Sequence, residues 1–290
     1  MAEVTAALVK QLREMTDSPM MECKKALVEA DGDLEKAVDV LRTMGIAKAV
    51  KKAGRATNEG TIGAFVSEDG TTGALVELSC ETDFVGTNEK FTGFAARLAQ
   101  VVAENDPADE EALKACDVDG ETVDAALTEM IHTIGENMKL GRFSRRSVEA
   151  GGLDSYVHLG GKLAVLVEFA FDKPETASNP EYKAFAHDVA MQVAAMDPIC
   201  AVREDVPADV VEREMAIYKA QAAESGKPEE IQERMAQGRL EKFFKERVLT
   251  EQDFFKESGS AVKDIAQKVS KAVGDNIRIV AFDRVAFGQE

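Results

Sequence analysis

The sequence predicts an α+β protein with three parts: a three-helix bundle, a duplicated core of two subdomains that each combine an antiparallel sheet with helices, and a helical hairpin inserted into the second subdomain. Three observations predict this architecture: helical periodicity in residues 1–45, an internal repeat in residues 61–290, and about 48 residues that only the second copy contains. A chain of 290 residues is long enough for two globular units and a small third.

The first 45 residues predict the bundle. Apolar residues recur at helical spacing over residues 6–12, which indicates an amphipathic first helix. Ser18-Pro19 is typical of a helix start, with Ser18 as the N-cap and the proline at the first helical position. Asp33 can cap the third helix, which Gly45 is predicted to end. A bundle this small has a thin core and suits a recognition module.

Residues 46–60 predict a basic linker, because they contain four cations and no acid before Glu59. A patch that binds nucleic acid is one interpretation. Four cations without interleaved aromatic residues are a weak electrostatic footprint, however, so we interpret the segment as a solvated helix end and linker.

The internal repeat predicts the duplicated core. Residues 62–103 overlie residues 153–194 without a gap at a shift of 91 positions, with 11 identities in 42 pairs. Each copy predicts two strands joined at a glycine-containing turn, followed by a helix that opens near an asparagine. The predicted subdomains are residues 61–150 and residues 151–290.

A second match locates the insertion. Residues 134–146 resemble residues 273–285 at a shift of 139, so the second copy holds about 48 extra residues between its helices. These residues, about 203–247, predict a helix, a turn around Gly226 and Pro228, and a second helix. A projecting hairpin and a pair of packed core helices are the two interpretations, and the polarity of the segment favours projection.

Composition narrows the class of function. The net charge of −18, half of it in residues 104–129, argues against binding to phosphate backbones or anionic lipid, so we expect neither nucleic acid nor a membrane as partner. Four cysteines form no CxxC pair and no signal peptide is apparent, which predicts a cytoplasmic protein. The sequence has no phosphate-binding loop, nucleophile elbow or zinc-protease motif, so neither an enzyme nor a bound cofactor is expected.

The two copies differ most after their second strand. The first copy reads CETDFVG at residues 80–86, and the second reads FDKPETA at residues 171–177. If both copies share a scaffold, we expect the functional residues in the segments where the two sequences differ. Phe84 is either an aromatic side chain that inserts into a partner or a cover for the end of the local core, and the residues alone leave both interpretations open.

Four stretches of the sequence resemble the bacterial elongation factor Ts family, in the family's order, from about residue 4 to residue 285. They are MTDSPMMECKKALVEADGDLEKAVDVLR, SCETDFVGTNEKF, IGENMKLGRFSRR and SYVHLGGKLAVLV. The resemblance implies a ubiquitin-associated-like bundle and a hairpin that forms the family's coiled coil.

The resemblance also implies a guanine nucleotide exchange factor that acts in translation elongation. Its partner is elongation factor Tu, a GTPase, from which the family releases GDP. By position in the TDFV motif, Asp83 and Phe84 intrude on the partner's magnesium and phosphate site, while Thr82 and Val85 shape the loop. Such a factor breaks no covalent bond.

Further partner contacts follow from the same resemblance. Arg13, Met20 and Met21 match positions of the N-terminal module that face the partner, and His158 matches another contact position. Phe255 falls at a contact position near a different partner domain, although the local EQDFFKES departs from the family's pattern. The sequence does not decide whether the hairpin also joins copies of this chain into a homo-oligomer. The alternative function is a helical adaptor that keeps the scaffold but lacks exchange activity.

Overall fold

The N-terminal bundle packs three helices around a small apolar core. The computed structural model describes residues 4–289, the side chain of Leu159 excepted, so residues 1–3 of the predicted bundle and residue 290 of the predicted second subdomain lie outside the described residues. The helices are α1 (Ala6–Thr16), α2 (Met20–Glu29) and α3 (Leu34–Lys52). Their apolar faces meet around Leu12, Leu27 and Leu41.

Two sequence-based boundaries in the bundle are wrong. Pro19 occupies the N-cap of α2, and the Ser18 hydroxyl turns back to the carbonyl of Thr16 instead of capping. The third helix does not end at Gly45 but continues to Lys52. An added Cβ at Gly45 would meet His132 at 3.4 Å. Close packing against this later segment therefore outweighs the cost of about 1 kcal/mol for glycine inside a helix.

The linker is correspondingly shorter than predicted, since only residues 53–58 lie between α3 and the first strand. Of the four cations in residues 46–60, two make ion pairs within the chain. Lys48 pairs with Glu22 of α2, and Arg55 Nη1 lies 3.3 Å from Glu81 Oε1. The segment therefore joins the bundle to the core.

The core contains two copies of one unit. The first copy consists of β1 (Glu59–Val66), β2 (Thr72–Cys80), α4 (Asp83–Gly86), α5 (Glu89–Asn105), α6 (Glu110–Ala115), β3 (Asp117–Val118), β4 (Glu121–Thr122), α7 (Val123–Ile134) and β5 (Met138–Ser147). The second consists of β6 (Gly152–Val157), β7 (Leu163–Ala170), α8 (Pro180–Met196), α9 (Ala208–Ala223), α10 (Glu229–Arg247), β8 (Asp253–Phe254), β9 (Glu257–Ala261), α11 (Val262–Val273) and β10 (Arg278–Ala286).

The predicted duplication is confirmed. One antiparallel sheet has the order β1-β2-β5 and the other has the equivalent order β6-β7-β10. The bounds of α5 shifted by 91 positions give those of α8, and the bounds of α7 shifted by 139 give those of α11. The correspondence extends to side chains: Arg145 pairs with Asp106 after α5 at 3.4 Å, and Arg284 pairs with Asp197 after α8 at 3.1 Å.

The two sheets pack against each other through a shared apolar layer. Ile62 and Leu75 of the first sheet meet Leu166 of the second there. Arg146 of β5 reaches across to carboxylate oxygens of Glu168 and Asp283, both at 2.8 Å. The copies are therefore joined by apolar burial and a half-buried ion network.

The insertion is a hairpin of α9 and α10 that projects from the second copy. Its buried helical residues are Ala222, Ala236 and Phe244, and a small apolar cluster at its base includes Val206 and Val248. The remaining helical surface is at least partly exposed, as expected for projection and not for core helices. Within residues 4–289, no helix combines the length and apolar character needed to cross a bilayer.

Candidate functional site

The TDFV motif forms the connection between β2 and α5 in the first copy. The Thr82 hydroxyl caps the short helix α4 by accepting from the backbone N–H of Val85 at 3.4 Å. Asp83 Oδ1 accepts from the N–H of Phe84 at 2.9 Å. Gly86 lies against β1, where an added Cβ would stand 3.2 Å from the carbonyl oxygen of Gly60. The motif is therefore one tight helical turn seated on the edge of the sheet.

Phe84 points away from this turn into solvent. Its side chain is 84% exposed, whereas the neighbouring Val85 packs against the first-copy core. Phe84 therefore does not cover the end of the core, which removes one of the two interpretations open from the sequence. A phenylalanine this exposed forgoes most of the roughly 1.5–3 kcal/mol that full burial would supply, and a partner's pocket can recover it.

A carboxylate from the other end of the unit holds the base of the turn. Glu136, just before β5, accepts from the backbone N–H groups of Glu81 and Thr82 at 3.1 and 3.0 Å and from the Thr82 hydroxyl at 2.7 Å. Sequence reasoning missed this residue. The available signal was an acid at the same place in both copies, since Glu136 corresponds to Asp275 at the shift of 139.

Cys80 lies directly beneath the turn and is a structural thiol. It is buried, and its Sγ donates to the carbonyl of Thr82 at 3.2 Å. Burial, together with the nearby Glu136 charge, raises the pKa of Cys80 to about 11. The thiol therefore stays protonated at neutral pH and is a poor nucleophile. Among residues 4–289, no three His, Cys, Asp or Glu side chains gather as they would around a metal ion.

A groove of about 430 Å³ brings the predicted contact residue His158 close to the TDFV turn. Its first wall is β1 with Gly86 and Thr87 from the end of the turn, and its second wall comprises Val157, His158 and the turn after β6. His158 is exposed, and its Nδ1 lies 3.1 Å from the Tyr156 hydroxyl. Both copies of the core thus contribute to this groove.

The predicted contacts of the N-terminal module lie exposed on α1 and α2. Arg13, Met20 and Met21 all face solvent. The corner between these helices lies beside the start of α5, since Asp17 makes an ion pair with Lys90. Lys90 is six residues after Phe84 along the chain, so this corner of the module lies on the same side of the core as the TDFV turn's end of α5.

Phe255 stands apart from this groove, beside α8 of the second copy. Its backbone N–H donates to Gln192 Oε1 at 3.0 Å, and its ring packs 5.4 Å from that of the buried Phe254. The Phe255 side chain is 45% exposed. The structure therefore brings His158 near the TDFV turn and leaves Phe255 as a separate exposed aromatic residue.

Comparison with known proteins gives one consistent family. The family model described as "Elongation factor TS" matches residues 81–289. Proteins named "Elongation factor Ts" are similar over nearly the whole chain. The relative from Nitratidesulfovibrio vulgaris is 44% identical over 99% of this chain and 96% of its own length. The relative from Clostridium perfringens is 46% identical over 99% and 93%, and that from Cupriavidus taiwanensis is 48% identical over 94% and 89%. The chain therefore belongs to the elongation factor Ts family and is a translation elongation factor.

Proposed function

We propose that this chain binds elongation factor Tu in its GDP-bound form and promotes release of GDP by disturbing the partner's magnesium and phosphate site. The observation that carries the proposal is Phe84, an aromatic side chain 84% exposed on a backbone turn that hydrogen bonds hold in place. An exposed aromatic on a fixed backbone suits insertion into a partner's pocket, because the backbone has little conformational entropy left to lose on binding.

Thermodynamic linkage between the binding of GDP and the binding of this chain sets the requirement for exchange. It must bind nucleotide-free elongation factor Tu more tightly than the GDP-bound form, and GDP binding is then weakened by the same factor. If Phe84 is buried only in the nucleotide-free complex, this burial supplies roughly 1.5–3 kcal/mol. That free energy would weaken the binding of GDP by a factor of about 10 to 150. A larger effect needs further contacts, for which we propose Arg13, Met20, Met21, His158 and Phe255. No covalent bond changes in this process.

Asp83 adds an electrostatic contribution to the proposal. Asp83 is exposed next to Phe84, its Oδ1 accepts only from the backbone N–H of Phe84, and it takes part in no ion pair among residues 4–289. A bound magnesium ion is the largest local charge in a nucleotide site. A carboxylate brought to that site competes with the GDP phosphates for the ion and repels them, so Asp83 and Phe84 act together. We place this activity in the cytoplasm, with neither nucleic acid nor a membrane as direct partner.

Release of labelled GDP from elongation factor Tu tests the proposal. Phe84→Ala should slow the stimulated release by roughly tenfold or more, since one buried aromatic contact is lost. Val280→Ala, at an exposed apolar position of β10, serves as the matched control and should leave the rate unchanged. Equal rates for Phe84→Ala and the parent chain would remove Phe84 from the mechanism.

A further inference from the structure

The TDFV turn and the start of β5 are joined by hydrogen bonds that run both ways. We call the bonds that Glu136 accepts from the turn the Glu136 clamp. Glu136 accepts from the turn as described above, and Glu81 returns the interaction by accepting from the backbone N–H of Asn137 at 2.6 Å. The Asn137 side chain is buried and donates to the carbonyl of Arg55 at 2.9 Å. The base of the turn is therefore tied to the start of β5 and to the segment that follows α3.

The second copy contains half of this arrangement. Asp275 accepts from the backbone N–H groups of Asp172 and Lys173 at 3.2 and 3.0 Å and from the Thr176 hydroxyl at 2.6 Å. Partial burial opposes ionisation of Asp275, but these hydrogen bonds bring its pKa down to about 2. Asn276, the counterpart of Asn137, is exposed, and its N–H donates to Asp275 itself at 2.7 Å.

This comparison separates the scaffold from the added feature. A carboxylate that caps the loop after the second strand occurs in both copies and belongs to the fold. The returning bond from Asn137 to Glu81 is described only in the copy whose loop carries an exposed phenylalanine. The added constraint thus coincides with the loop that the proposed function requires to be rigid.

We propose that Glu136 is a positioning residue, which fixes the backbone of Glu81 and Thr82 so that Phe84 already has its inserting orientation before the partner binds. This inference rests on the proposed exchange function. Removing the carboxylate leaves two N–H groups and a hydroxyl without their acceptor, and the turn can then rotate about its base. A turn that is no longer fixed must be ordered when the partner binds, so its loosening should weaken exchange towards the level of Phe84→Ala even though Phe84 is still present.

Matched variants in the two copies test the proposal. Glu136→Ala and Asp275→Ala each remove a clamp and should lower the midpoint of thermal unfolding to a similar extent. Only Glu136→Ala should slow stimulated GDP release, by up to the roughly tenfold loss expected for Phe84→Ala, when rates are compared at saturating chain and below the unfolding transition of every variant. Glu136→Gln keeps a carbonyl acceptor for the two N–H groups and should restore most of the rate.

A double-mutant cycle with Phe84→Ala distinguishes positioning from a general loss of structure. If Glu136 acts through the turn that carries Phe84, then Glu136→Ala and Glu136→Gln should cost much less in the Phe84→Ala background than in the parent chain, because only Asp83 is left to be positioned. Additive losses, or a Glu136→Ala variant with the parental rate, would overturn the inference while leaving the exchange function intact. If the parent chain itself does not accelerate release, the proposed function fails instead, so the two failures are distinct.

Discussion

At the scale of single residues, Gly63 shows how closely the two layers of the first copy approach. It lies on β1 against α5, and a Cβ built there would stand 2.0 Å from the carbonyl oxygen of Ala95. Gly93 on the same helix has nothing within 4 Å of the equivalent position. The two glycines therefore have opposite roles, since one permits contact between backbones and the other only weakens a helix.

We expect Gly63→Ala to destabilise the chain by about 1–3 kcal/mol or more, because backbone atoms must move to admit the methyl group. Gly93→Ala should stabilise it by up to about 1 kcal/mol, since alanine is the better helix former. Chemical denaturation of both variants measures these changes. An unchanged Gly63→Ala would contradict the close approach of β1 and α5, and a destabilised Gly93→Ala would contradict the open space beside Gly93.

Two residues of the site depend on contacts that the sequence does not show locally. The sequence indicates the TDFV turn as a functional loop because the two copies differ there. It does not indicate the exposure of Phe84, which depends on how the turn packs against β1. Glu136 was missed because its bonds to Thr82 join residues 54 positions apart, and no local pattern indicates such a pair.

At the scale of elements, the bundle contacts the first copy through α3 and α7. His132 of α7 is buried in this contact, with its Nε2 3.4 Å from Glu22 Oε2 of α2. The other charged groups around it are Lys48 and Lys52 of α3. Burial lowers the pKa of His132, the two lysines lower it further, and Glu22 opposes them.

The sign of the pH dependence follows from this shift. The unfolded chain takes up a proton on His132 near its ordinary pKa of about 6.5, while the folded chain resists protonation until lower pH. Stability should therefore fall as the pH drops below about 6.5. His132→Leu should remove this component from the free energy of unfolding measured between pH 7.5 and 5.5. An unchanged pH profile in the variant would exclude His132 as its source.

The sequence predicted most elements well because each one carries a local signal. The repeat located the three main strands and two long helices of each copy, though not α4, α6 or the short strands β3, β4, β8 and β9. The polarity of residues 206–247 indicated the projecting hairpin. The end of α3 was wrong for a non-local reason: Gly45 reads as a helix stop, but it lies against His132, 87 positions away in the sequence. Contacts of this kind override local propensity.

At the scale of the whole molecule, the relative placement of the two copies determines the shape of the groove at the end of the TDFV turn. Arg146 contributes to this placement, since it lies between Glu168 and Asp283 with its side chain only 23% exposed. Removing it would leave two carboxylates close together without their shared cation. The groove contains residues of both copies, so a change in their packing would also move His158 relative to the TDFV turn.

We expect Arg146→Ala to destabilise the chain by about 1.5–3 kcal/mol, the range for hydrogen bonds to charged groups. Arg234→Ala is the control, because its pair with Glu230 on α10 is largely exposed and should contribute less than about 1 kcal/mol. Denaturant unfolding of both variants provides the comparison. Equal losses in the free energy of unfolding would show that the ion network between the copies stabilises the chain no more than an exposed ion pair does.

The release of labelled GDP from elongation factor Tu, measured as a function of the concentration of this chain, tests the central claim most directly. Binding is followed in the same mixtures, so that a chain that binds without acting is recognised. We predict a release rate that rises with chain concentration and reaches a plateau as the complex forms. A saturated complex that releases GDP at the rate of elongation factor Tu alone would contradict the account and identify the chain as a non-exchanging adaptor.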